Sequence, residues 1–168
     1  MLEASRSLSP PVAAALIFAI SVATIGGAWT YEALGYLPCE LCYKERIPYY
    51  GAFALAPLAS GLARTGRARL ACGAFLLMSL LFVGDFALSL YHSGVEWKIF
   101  PGPSDCSGAL SGAGSMEDFM KQLQTVKVVR CDEPALWVMG LTLANWNALI
   151  TAALAWLAAM AVGRLASR

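Results

Sequence analysis

The sequence is poor in charged residues. Only 14% of its 168 residues are charged, whereas 58% are hydrophobic, and the mean hydropathy is +0.61. A chain of this composition has too few charges to solvate a soluble globule of its size, and this favours a membrane protein. The formal net charge of +1 also gives no reason to expect a nucleic acid partner.

The sequence also lacks the residues that would complete a haem or structural zinc site around its cysteine pair. Cys39 and Cys42 form a Cys-x-x-Cys motif. Covalent haem attachment requires a histidine directly after the second cysteine, but Tyr43 stands there. A structural zinc site has a second close pair, whereas Cys106 and Cys131 are far apart in the chain. The motif therefore predicts neither haem nor a metal.

Long runs without charge predict an all-α membrane protein with four spanning helices in one integral membrane domain. Three runs contain no charged residue, and a fourth is interrupted only by Asp85: Ser7–Tyr31, Ile47–Ala63, Pro134–Gly163 and Leu70–Tyr91. A spanning helix needs roughly 20 apolar residues. We expect helices near 12–34, 48–63, 68–91 and 141–162, with outer loops near 35–47 and 92–140.

The distribution of positive charge predicts the orientation of the helices. The turn from Arg64 to Arg69 contains three arginines and no acid, and Arg164 and Arg168 follow the last run. Because short basic loops stay in the cytoplasm, we expect this turn and both termini on the cytoplasmic side. Both cysteine-containing loops then face outward, which in a bacterial inner membrane is the periplasm, where disulfides persist.

The long outer loop is predicted to contain a flexible stretch and a short helix. Glycines and prolines surround Cys106 and disfavour regular structure there. Ser115–Asp118 matches a helix-capping box, and apolar residues then recur at helical spacing up to Val126. This helix would either lie flat in the membrane interface or cap the bundle by ordinary packing. A flexible loop beside such a helix suits a disulfide that meets a large partner.

The cysteines leave two interpretations open. Cys72 falls near the cytoplasmic end of the third run, so we interpret it as a packing residue. The other four cysteines are expected to pair, either as two structural disulfides or as redox-active ones. A Cys-x-x-Cys ring closes too short a loop to add much stability. Such pairs are commonly redox-active and have a lowered thiol pKa. Electron transfer between a soluble partner and a lipid-soluble molecule is therefore favoured.

The residues that follow Cys42 refine this hypothesis. Pro48 fits the first turn of a helix, which predicts that Cys42 lies near a helix N-terminus. A helix N-terminus and the guanidinium of Arg46 would both favour a thiolate at Cys42. Arg46 would equally serve as an interfacial anchor that reaches the lipid headgroups.

Three segments together resemble the bacterial disulfide-bond formation protein B (DsbB) family. They are Pro38–Arg46, Tyr91–Cys106 and Val129–Pro134, and the resemblance extends over nearly the whole chain. It implies a four-helix enzyme that reoxidises a periplasmic thioredoxin-fold dithiol oxidase (DsbA-like). The electrons would pass to a membrane quinone, either ubiquinone or menaquinone.

The resemblance also implies a role for each cysteine of the two pairs. Cys106 would form a mixed disulfide with the soluble oxidase, and Cys131 would resolve it. Cys39 would exchange with this second pair, and Cys42 would deliver electrons to the quinone.

Arg46 matches the family's quinone-side arginine, and His92 matches the histidine at the outer end of its third helix. We expect these two to form the cofactor site, although His92 would equally serve as a packed or interfacial residue. Asp85 lies two helical turns inward of His92, and we expect it to form a hydrogen bond to a neighbouring helix. A second class of function stays open, namely a membrane scaffold or redox sensor whose outer disulfides are structural.

Overall fold

The computed structural model describes residues 8–103, 115–116 and 130–167, and these residues are mostly helical. In chain order the helices are α1 (Pro10–Ala33), α2 (Glu40–Glu45), α3 (Ile47–Arg64), α4 (Ala68–Glu96) and α5 (Leu143–Ala166). Two short strands, β1 (Trp137–Val138) and β2 (Leu141–Thr142), pair antiparallel directly before α5. The short helix predicted after Ser115 lies almost wholly outside the described residues.

Three of these helices, α1, α4 and α5, are long and apolar enough to cross a membrane. Helix α3 has 18 residues, with Pro57 inside it and Arg64 in its last turn. At 1.5 Å per residue it is about 27 Å long, which falls short of a hydrocarbon core about 30 Å thick. The predicted fourth span therefore stays a prediction.

Small residues hold the helices together. Helix α4 packs along α5, and α3 packs against both α1 and α4. The buried core combines many alanines with a few large side chains: Ala13, Ala52, Ala56, Ala59, Ala71, Ala158, Tyr49, Phe75 and Phe82. Alanine at a helix contact lets two backbones approach closely, as is common in membrane bundles. Large apolar side chains instead point outward, among them Leu76, Leu80 and Trp156. A bilayer solvates such a surface.

The structure corrects the predicted end of the third helix and the start of the last one. Helix α4 continues to Glu96, so His92 lies within a helix and is buried, not at the edge of a loop. A hairpin occupies the positions where α5 was expected to begin. Its two turn residues, Met139 and Gly140, both have positive φ, as a two-residue type I′ turn requires. Thr142 then caps α5 by accepting a hydrogen bond from the backbone N–H of Asn145.

The first outer loop also differs from the prediction. It contains the separate helix α2, and Arg46 serves as the C-cap of α2 and the N-cap of α3. Pro48 lies in the first turn of α3, as expected. Cys39 is the N-cap of α2, and Cys42 lies in its first turn, so the predicted position of Cys42 near a helix N-terminus is confirmed.

Candidate active site

Cys39 and Cys42 lie side by side as free thiols at one end of the bundle. Their Sγ atoms are 3.0 Å apart. A disulfide bond joins sulfurs about 2 Å apart, so a shift of about 1 Å connects the two atoms. Cys39 is buried, and Cys42 is partly exposed. The Cys39–Cys42 disulfide can therefore form and break with little movement of the backbone.

The surroundings favour Cys39 as the anionic sulfur of the reduced pair. Its pKa is lowered, chiefly because the Cys42 thiol donates a hydrogen bond to it; burial opposes this effect, and contact with His92 supports it. The backbone N–H of Cys42 also donates to Cys39 Sγ, at 3.3 Å. The pKa of Cys42 is raised by the same Sγ–Sγ hydrogen bond and by burial. The predicted thiolate at Cys42 is thus not favoured in the reduced pair, because Cys39 is the sulfur whose pKa is lowered.

His92 joins the cysteine pair to a buried carboxylate. Its Nε2 lies 3.5 Å from Cys39 Sγ, and its Nδ1 lies 2.9 Å from Oε1 of Glu45. Both residues are buried, and burial raises the pKa of Glu45 while His92 acts in the opposite direction. Sequence reasoning missed Glu45. The only signal was its position one helical turn after Cys42.

Arg46 lies on the other side of Cys42 and is held by the end of α1. Its Nη1 donates to Oε2 of Glu32 at 2.8 Å, and Tyr43 OH donates to the other oxygen of that carboxylate. The guanidinium also lies over the Tyr43 ring, 5.0 Å from its centroid. The side chain is thus buried against protein groups, whereas an interfacial anchor would extend away from them.

Cys42 and Arg46 line an apolar cavity of about 240 Å³ enclosed by α1, α3 and α5. Most of its wall is aliphatic and aromatic, including Ile25, Tyr31 and Trp146, and Tyr49 and Asn147 add polar groups. His92 lies instead beside a smaller cavity of about 30 Å³, together with Cys39, Cys42 and Glu96. The two residues that were expected to form one cofactor site thus line different cavities, and Cys42 lines both of them.

A hydrogen-bond network links three helices beside the larger cavity. Tyr49 OH donates to Asn147 Oδ1 at 2.6 Å, and Asn147 Nδ2 donates to Ser89 Oγ at 2.7 Å. Asn147 Nδ2 also lies 3.3 Å from Asp85 Oδ2, so the predicted hydrogen bond from Asp85 to a neighbouring helix is confirmed. Because buried polar groups are costly unless they are paired, this network fixes how α3, α4 and α5 face one another.

The second outer loop reaches the same place. Cys131 is disulfide-bonded and buried, and it belongs to one apolar cluster with Cys39, Leu41 and Val95. The adjacent Asp132 is bound by Lys98 and Arg130. Cys106 lies outside the described residues. Of the predicted site residues, the structure therefore brings Cys39, Cys42, His92 and Cys131 together.

Cys72 is separate from this group. It is a free, partly buried thiol on α4 that packs against the main core of the bundle. This position agrees with its interpretation as a packing residue.

The comparison with protein families gives a match over most of the chain. The family model described as "Disulfide bond formation protein DsbB" matches residues 10–161. No curated protein and no solved structure shows significant similarity to the chain. With its spanning helices and its cysteine pair at one end of the bundle, this multi-pass membrane protein belongs to the DsbB family of disulfide bond formation proteins.

Proposed function

We propose that this protein oxidises a periplasmic thioredoxin-fold dithiol oxidase (DsbA-like) through two disulfides and passes the electrons to a membrane quinone. The observation that carries the proposal is the position of the Cys39–Cys42 pair. On one side, Cys39 shares a buried cluster with the disulfide-bonded Cys131. On the other side, Cys42 lines an apolar cavity. The pair thus stands between a disulfide in the outer loop and a space suited to a lipid-soluble ring.

The first half of the relay takes place in the outer loop. We propose that the partner of Cys131 is Cys106. A thiolate of the reduced soluble oxidase attacks Cys106, and Cys131 leaves as a thiolate. The second thiol of the oxidase then attacks the mixed disulfide, so the oxidase leaves oxidised and the Cys106–Cys131 pair keeps two electrons.

The second half transfers these electrons inward. A thiolate of the outer pair attacks Cys39 Sγ of the oxidised Cys39–Cys42 disulfide, and Cys42 leaves as a thiolate. The raised pKa of Cys42 belongs to the fully reduced pair, in which Cys39 is the neighbouring anion. Once Cys39 is bonded to the outer pair, that anion is absent. Cys42 is then free to carry the negative charge toward the cavity.

The residues around the larger cavity fit a quinone head group. A quinone, when bound, supplies an acceptor for two electrons and two protons. Such a ring requires an apolar slot and a few donors for its carbonyl oxygens. The aliphatic and aromatic wall provides the slot, and the Arg46 guanidinium provides donors beside Cys42. Glu32 and Tyr43 hold that guanidinium in place, so its orientation does not depend on the ligand.

Turnover by purified protein is the direct test. We expect the detergent-solubilised protein to reduce a soluble quinone analogue only when a reduced dithiol oxidase is present, with one quinone consumed per dithiol oxidised. Quinone absorbance and thiol titration measure the two sides of the reaction. A membrane scaffold or sensor with structural disulfides is the competing function, since the buried disulfide at Cys131 also suits it. Absence of turnover would favour that function.

Substitution of Arg46 tests the cofactor site. Arg46→Lys is expected to raise the KM for quinone about tenfold, because lysine keeps the charge but loses the planar, multi-donor geometry. Arg46→Ala is expected to raise it further, toward about 100-fold, since hydrogen bonds to charged groups contribute roughly 1.5–3 kcal/mol. Steady-state kinetics with the quinone analogue measure both values.

Arg64→Lys is the matched control, because Arg64 lies at the opposite end of α3. It should leave the KM unchanged. Exchange between the outer disulfide and the soluble oxidase should also persist in all three variants. An unchanged KM in both Arg46 variants would show that Arg46 is only an interfacial anchor and that the cofactor site is wrongly assigned.

A further inference from the structure

Three groups that commonly bind zinc converge at the cysteine pair. Cys39 Sγ, Cys42 Sγ and a ring nitrogen of His92 all lie within 4.8 Å of one another. With Zn–S bonds of about 2.3 Å and Zn–N bonds of about 2.0 Å, tetrahedral coordination places sulfur and nitrogen about 3.6 Å apart. The observed distance from Cys39 Sγ to His92 Nε2 is 3.5 Å. The two Sγ atoms are 3.0 Å apart, and the distance between them would need to increase by less than about 1 Å.

The surroundings of His92 also suit a metal ligand. Glu45 Oε1 lies 2.9 Å from His92 Nδ1, so the carboxylate occupies one ring nitrogen and leaves Nε2 facing the sulfurs. A carboxylate on the far nitrogen is the usual support of a zinc-bound histidine, because it fixes the ring and raises its basicity. The sequence, in which a second close cysteine pair is lacking, predicted no metal site. It could not foresee that α4 places a histidine beside the pair.

Space for a fourth ligand adjoins the same three side chains. The cavity of about 30 Å³ is lined by Cys39, Cys42 and His92, with the carboxyl-bearing Glu96 among its other walls. A single water needs roughly 10–15 Å³ of this kind of volume. Three protein ligands and one open position are the pattern of a zinc site that exchanges its fourth ligand.

We propose that the reduced Cys39–Cys42 pair and His92 form a binding site for Zn²⁺ or a similar thiophilic divalent cation, and that disulfide formation abolishes it. Binding requires both sulfurs as thiolates, so any thiol proton is released to solvent as the Zn–S bonds form. When the pair is oxidised, both sulfurs are committed to the S–S bond and the cation is expelled. A bound cation would hold the pair reduced and stop turnover; this last consequence rests on the proposed function.

Cobalt provides a spectroscopic test that does not depend on activity. The dithiol-reduced protein in detergent, freed of reductant, is titrated with Co²⁺ and then with Zn²⁺. We expect one Co²⁺ per chain, with the absorption bands of tetrahedral cobalt–thiolate coordination, and displacement of Co²⁺ by Zn²⁺. The oxidised protein should show no such bands. Quinone reduction should be inhibited by Zn²⁺ and restored by a chelator.

Variants separate this site from the other thiols. Glu45→Gln is expected to weaken binding about 10- to 100-fold by loss of the carboxylate on His92, and His92→Ala at least as much. Cys72→Ser should bind normally, and so should the double variant Cys106→Ser/Cys131→Ser, which retains the inner pair and Cys72. Normal binding by both the Glu45 and His92 variants, or loss of binding in the double variant, would overturn the proposed ligand set.

If wild-type protein binds cobalt but never reduces quinone, the proposed function fails and the metal site stands. If the wild-type protein reduces quinone but binds no cobalt, the proposed function stands and the metal site fails.

Discussion

Cys42→Ser is expected to abolish quinone reduction, whereas Cys72→Ser leaves it intact. A hydroxyl cannot form the disulfide with Cys39 or carry the electrons of a thiolate, so the rate should fall by about 10⁴-fold or more, as for other residues that take part in bond making. Cys42 is also the cysteine of the pair that lines the larger cavity. Initial rates with a reduced dithiol oxidase and a soluble quinone analogue measure the effect.

Cys72 provides the matched control because it is a free thiol on a bundle helix, packed against the core and distant from the pair. Cys72→Ser should change the rate by less than about twofold. The loss of packing lowers the free energy of unfolding slightly and does not affect the reaction. Substantial turnover in the Cys42 variant would contradict the relay. A large loss in the Cys72 variant would show that its assignment as a packing residue is mistaken.

Cys131→Ser is expected to accumulate a mixed disulfide with the soluble oxidase, and Cys106→Ser is expected to trap almost none. Cys131 is only 2% exposed, so a thiol or disulfide on a large partner cannot reach it. In the proposed relay, Cys106 is the sulfur that meets the partner. In the Cys131 variant, the free Cys106 thiolate attacks the disulfide of the oxidised partner, and without Cys131 the product is released only by reversal through the partner's own second thiol.

Non-reducing electrophoresis after acid quenching measures the trapped complex, and a reduced sample of the same reaction identifies its components. Equal trapping by the two variants would contradict the assigned order of the cysteines. Because this exchange takes place in the outer loop, the amount trapped should not depend on added quinone.

The large features of this protein could be predicted from local composition. Uncharged runs predicted α1, α4 and α5, because partition into a bilayer depends on the summed hydropathy of one continuous segment. The same reasoning did not settle α3, whose length and internal proline place it at the limit for a span. The Cys-x-x-Cys motif and its neighbours likewise identified the reactive pair, since reactivity of this kind needs two thiols at short spacing.

Helix boundaries were less accessible to sequence reasoning, and one of them affected the chemistry. The separate helix α2 begins directly after Cys39, so hydrogen bonds from the Cys42 thiol and from its backbone N–H favour a thiolate at Cys39. No residue pattern distinguishes this arrangement from a single helix beginning at Cys42. The extension of α4 to Glu96, which buries His92, was missed for the same reason.

The sequence by itself determined that this is a helical membrane protein with a Cys-x-x-Cys pair, and its basic turn predicts the orientation in the membrane. Only the tertiary structure decided that His92 contacts Cys39 and Glu45, and that Cys42 and Arg46 line the larger cavity. The physical reason is that hydropathy and thiol spacing are properties of one segment. Which side chains meet depends on the rotation and the axial position of each helix relative to its neighbours. Many contacts between residues distant in sequence determine both.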